Sequence, residues 1–191
     1  SVALVRDASA AFWNPAGIAG IERYEAAFSY TRWLADMHYA GAAVGMRAGG
    51  IGTFALSVAA LDYGDIPEAV LGTGAPDPRT GNTFSGSDFM AGLAYAREFT
   101  DRLALGVAVK YLHETLWEHS AGTVAFDVGT NYEVGYRGLR LAMSAQNLSG
   151  AVRWRADSLT DRTEGYDLPL IFRVGVSGEL VGTDAFVPMD G

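Results

Sequence analysis

Apolar residues alternate with small or polar ones, with period two, through most of this chain. Over 102–112, Leu103, Leu105, Val107, Val109 and Tyr111 fall on one side, and Arg102, Ala104, Gly106, Ala108 and Lys110 on the other. Over 121–134, Val124, Phe126, Val128, Tyr132 and Val134 oppose Thr123, Ala125, Asp127, Gly129, Asn131 and Glu133. Phe54, Leu56 and Val58 oppose Thr53, Ala55 and Ser57, and Phe172, Val174, Val176 and Leu180 oppose Arg173, Gly175, Ser177 and Glu179. This period marks β-strands with two chemically different faces. It predicts eight strands, near 23–33, 36–47, 50–63, 87–99, 102–112, 121–134, 139–148 and 170–181. The facing of the first two is not evident from the pattern. Residues 1–22 are different: small, punctuated by Gly and Pro, with a helical turn expected around Ala8 to Trp13 that Pro15 would end.

The connections alternate too. Ala48-Gly49-Gly50, Thr100-Asp101-Arg102 and Tyr136-Arg137-Gly138 read as tight turns, whereas 64–87, 113–121 and 149–169 are longer and polar. Short turns on one side and long loops on the other are expected of a transmembrane barrel, whose strands all cross one slab. The predicted strands run ten residues or more, against about five or six in soluble proteins, and a tilted membrane strand needs about nine to eleven. In a barrel the large apolar face meets lipid and the small or polar face meets the lumen. In a sandwich the polarity is reversed, and alternation alone does not separate the two. The expectation is an all-β, antiparallel transmembrane barrel (23–191) with an N-terminal luminal plug (1–22).

Composition adds bounds. Hydrophobic residues make up 49% of 191, yet no run approaches the ~18 apolar residues of a membrane helix. The 24 Gly, 9 Tyr and 4 Trp suit a barrel with interfacial aromatics. A net charge of -8 argues against a nucleic-acid partner, since no basic stripe is present to neutralise phosphates. Without cysteine there is no disulfide framework and no thiol chemistry. The chain starts at Ser1 without a signal peptide and ends at Asp190-Gly191 without a closing aromatic strand, so it reads as part of a longer protein.

The string Asp7-Ala8-Ser9-Ala10-Ala11-Phe12-Trp13-Asn14-Pro15-Ala16-Gly17-Ile18-Ala19 resembles an N-terminal motif of the PorV/PorQ family of outer-membrane proteins, relatives of the FadL-like fatty-acid transporters. Ala145-Gln146-Asn147-Leu148-Ser149-Gly150 also looks like this family. The resemblance implies a bacterial outer-membrane barrel of about fourteen strands, of which about eight are seen here, with Asn14-Pro15-Ala16 in a hatch inside the barrel. It places the N-terminus and short turns in the periplasm and the long loops outside. It implies no enzyme and no cofactor. It implies a binding and shuttle component of type IX-like protein secretion or surface attachment, meeting outer-membrane lipid and other secretion or cell-surface proteins through its outer loops. The alternative is a FadL-like channel for hydrophobic molecules. A third reading is a soluble or structural β-protein within a larger assembly.

Few residues suggest chemistry. In Trp13-Asn14-Pro15-Ala16-Gly17, Pro15 fixes φ and pushes Asn14 extended, so the Asn14 amide is free to bond nearby backbone. That reads as a plug anchor, with ligand gating as the sharper alternative. Asp88, Glu98, Lys110, Asp127, Glu133, Arg140, Arg173 and Glu179 fall on the predicted inner faces. Charges facing mid-membrane lipid cost about 2–4 kcal/mol. These eight therefore read as a mutually neutralising network holding the plug, or as a polar conduit. His113-Glu114 and Glu118-His119 lack the spacing of a zinc helix, so no metal is expected. Asn147-Leu148-Ser149 matches a glycosylation sequon, read here as incidental.

Overall fold

The structure, a computed structural model, describes residues 2–33, 36–69, 79–117, 119–149, 152–154 and 165–178. Glu179 of the expected inner-face charges, and stretches 70–78 and 155–164 of the expected outer loops, lie outside the described residues.

The fold is all-β and antiparallel. Its strands are β1 (Tyr24–Arg32), β2 (His38–Arg47), β3 (Thr53–Asp62), β4 (Ile66–Ala69), β5 (Arg79–Phe84), β6 (Gly86–Thr100), β7 (Leu103–Leu116), β8 (His119–Glu133), β9 (Arg140–Ser149), β10 (Val152–Trp154), β11 (Gly165–Tyr166) and β12 (Ile171–Ser177). Each long strand pairs with the next in the chain, in the order β1-β2-β3-β6-β7-β8-β9-β12. β10 and β11 prolong the sheet beside the far end of β8, and β4 with β5 forms a separate hairpin. Among the described residues β1 pairs only with β2 and β12 only with β9, so this sheet has two edges.

The eight strands lie where the period-two pattern puts them. The tight turns also match: 48–52 closes with a 3-10 turn at Gly49–Ile51, and Arg137 and Gly138 take positive φ at the β8–β9 turn. The long connections differ from the reading of them as loops. β7 continues to Leu116 and β8 begins at His119, because His113 to Leu116 and His119 to Gly122 pair residue for residue. The connection 64–87 carries the β4–β5 hairpin. Backbone groups left bare beyond one strand's end were satisfied by the next strand.

One face of the sheet is covered by residues 2–21. This segment forms two 3-10 turns, Ala8–Phe12 and Pro15–Gly20. Pro15 thus opens a second turn as well as ending the first, which suits a residue with fixed φ and no N–H to satisfy. Asp7 and Asn14 cap the turns, each accepting from the backbone N–H two residues on. Ala8, Ala10, Ala11, Ile18, Ala19 and Ile21 pack on Ala43, Ala55, Ala94, Ala96 and Ala108 of the sheet. A second, smaller cluster joins Val2 and Ala3 to Ala142. Small side chains on both partners let backbone approach backbone.

Candidate functional site

The site is the seat of the N-terminal segment on the small and polar sheet face. Its centre is a notch at Gly106 and Gly129, directly opposite each other on β7 and β8. A Cβ at Gly106 would run into the backbone of Pro15 and Ala16, and one at Gly129 into the Asn14 amide oxygen. Only glycine admits this approach. Asn14 is almost fully buried there, with φ -152° and ψ 105°. Its Oδ1 accepts from Ala16 N–H at 3.1 Å, and its Nδ2 donates to Thr130 O at 3.1 Å and Val2 O at 3.4 Å. One amide therefore ties the second turn, the start of the segment and β8 together. Ala16 and Gly17 are buried beside it, whereas Trp13 lies half-exposed.

Charges surround this notch in two tiers. At the short-turn end, Arg6 Nη1 of the segment lies 2.8 Å from Glu133 Oε1, and Arg140 Nε lies 3.1 Å from the same oxygen. Arg47 bonds Glu98 at 2.8 Å and also donates to Ala19 O at 3.4 Å. Deeper along the strands, Lys110 Nζ meets Asp127 Oδ2 at 2.8 Å, with the Asp127 side chain fully buried. Gln146 Nε2 bridges Asp127 Oδ2 at 3.3 Å and Phe12 O of the segment at 3.1 Å.

That second tier needs a bulge. Between Phe126↔Leu148 and Val128↔Ala145, β8 supplies Asp127 alone while β9 supplies Gln146 and Asn147. Asn147 takes φ +62°, in the left-handed region. Its N–H donates to Asp127 Oδ1 at 2.9 Å, its side-chain oxygen accepts from Lys110 at 3.0 Å, and its Nδ2 donates to Pro169 O at 3.1 Å. The Asn147 of the apparent sequon thus completes the Asp127 site.

Two of the inner-face charges stand apart. Arg173 lies at the β12 side with its guanidinium carbon 5.8 Å from the centre of the Trp13 ring. Asp88 sits towards the long-loop end, one oxygen accepting from Tyr63 Oη at 2.7 Å. Pattern reading placed these side chains on one face but missed Arg6, Arg47, Gln146 and Asn147. Arg6 lies outside any strand, so no alternation could reveal it. Asn147 is reached only through the bulge, which shifts the parity of β9. Among the described residues no group of three His, Asp or Glu side chains gathers into a metal site.

The opposite face is large, apolar and uncovered. Phe28, Val44, Leu56, Leu93, Val107, Phe126, Met143 and Phe172 are exposed on it. Comparison of the chain with protein-family models gives no match, and comparison with curated proteins gives none either.

Proposed function

We propose that this chain forms part of a bacterial outer-membrane β-barrel of about fourteen strands. Residues 1–22 plug its lumen, and the barrel serves without catalysis as a binding and shuttle component of type IX-like secretion or surface attachment. One observation carries the membrane reading: the buried face is the polar one. Phe172 and Val174 are 72% and 71% exposed, while Asp127 and Asn14 are 1% exposed. Soluble proteins rarely leave a contiguous apolar patch beyond a few hundred Å², and here it spans all eight long strands. Lipid is the solvent that such a face fits. The outer face also carries aromatic rows. Tyr24, Phe54 and Tyr95 lie in one cross-strand row near the short turns, and Tyr30 and Phe89 in another towards the opposite end. Mostly aliphatic side chains lie between them, as between the girdles of a membrane barrel.

The shuttle role rests on the resemblance around Asn14-Pro15 and on a plug seated by several polar contacts, which favours a sealed scaffold that recognises partners through its loops. The second reading, a FadL-like channel for hydrophobic molecules, is favoured by an apolar cavity on the inner face beyond the plug. Mild-detergent pull-down of the full-length protein from native outer membranes, with partners identified by mass spectrometry, tests both. Recovery of translocon components or exported proteins with a shared C-terminal domain supports the shuttle. A solitary barrel carrying lipid or another hydrophobic small molecule supports the channel. Failure to float with membranes in a density gradient overturns both in favour of a soluble assembly component.

A further inference from the structure

The inner-face cavity lies at the long-loop half of the sheet, and no residue of the N-terminal segment lines it. Its volume is about 290 Å³, just below the range of drug-sized ligand pockets, about 300–1,000 Å³. Tyr39, Leu61, Met90, Leu112 and Leu168 give it an apolar wall. Asp88 and Glu114 also lie on it, directly opposite each other on β6 and β7. No Lys or Arg is found among its described lining residues.

Asp88 is the informative member. Oδ2 accepts from Tyr63, but Oδ1 is buried with no hydrogen-bond partner among the described residues. Buried polar atoms are nearly always partnered, so such an exception asks for an explanation. A protonated amine in the cavity answers this. It donates a charge-assisted bond to Oδ1. Glu114 has contacts of its own, so Asp88 carries the recognition. A carboxylate head would instead meet the Asp88 carboxylate, with no Lys or Arg among the described lining residues to receive it.

We infer that this cavity binds a small amphiphile with a short apolar body and a cationic amine head, and rejects its carboxylate analogue. This deepens the channel reading by naming the head group, while flotation and pull-down judge the membrane reading separately. The test is calorimetric titration of the full-length protein, in a neutral detergent, with hexylamine, hexanol and hexanoate. Hexylamine is expected to bind at least tenfold more tightly than hexanol, and hexanoate more weakly than either. Asp88→Asn is expected to bring hexylamine to the level of hexanol. Leu112→Trp, which fills the cavity, is expected to weaken both, with circular dichroism confirming that each variant folds. Hexanoate binding as tightly as hexylamine, an amine preference that survives Asp88→Asn, or no saturable binding of hexylamine overturns the inference. The ranking on the unmutated protein decides the matter even if a variant misfolds.

Discussion

On β8, Ala125, Asp127, Gly129 and Asn131 are buried, whereas Val124, Phe126 and Val128, one residue away, stand exposed. The same backbone thus serves two environments. On the inner face, cohesion comes from close backbone approach and directed polar contacts: the Gly106–Gly129 notch, the Asn14 amide, the Lys110–Asp127 pair. On the outer face side chains are bulky, and the polar contacts found there, such as Tyr30 Oη with His38 Nδ1 at 2.9 Å and Tyr95 Oη donating to Ile51 O at 2.7 Å, lie towards the strand ends. Size, not polarity alone, separates the faces. Small residues are needed where a chain segment must lie flat on the sheet, and the face that no described segment covers carries the large ones.

The largest effect is expected from Asp127→Ala, which strands a mostly buried Lys110. Breaking one side of a buried pair costs about 3–5 kcal/mol. The measurement is the denaturant midpoint, and Asp127→Ala with Lys110→Met should recover part of the loss. Next comes Leu56→Arg on the outer face, where Leu56 is 58% exposed. In a bilayer it should destabilise by about 2–4 kcal/mol. In a water-soluble protein the same change should stay within ~0.5 kcal/mol, so this variant also distinguishes the two settings of that face. Gly106→Val should cost about 1–3 kcal/mol by overpacking and should lift the N-terminal segment, read as faster proteolysis within residues 2–21. Gly50→Ala, which meets only open space, is its silent control. The smallest effect is expected from Glu133→Gln, whose pairs with Arg6 and Arg140 are partly exposed. Such pairs contribute no more than ~1 kcal/mol, and raising the salt concentration should erase the difference from the unmutated protein.

How much was legible follows from the reach of each signal. Strand positions were readable because period two is a local consequence of the pleat. β6 to β8 nevertheless extend further than expected, because pairing with a neighbour carries a strand past the end of its own pattern. The Asn14 cap was readable because Pro15 restricts the residue before it. The bulge at Gln146 and Asn147 was not, because its cause, the buried Asp127 carboxylate, lies on another strand.

The sequence by itself determined the strands, their order-of-neighbours turns and the division of each into a bulky and a small or polar side. These are properties of consecutive residues. It did not determine which side is covered, since alternation reads identically for a sandwich core and for an outward-facing apolar wall. The tertiary structure decided that by laying residues 2–21 on the polar side. It likewise joined Arg6 to Glu133 across 127 positions and Phe12 to Gln146 across 134. Contacts at such separations depend on where the whole sheet places its strands, and no local pattern carries that information.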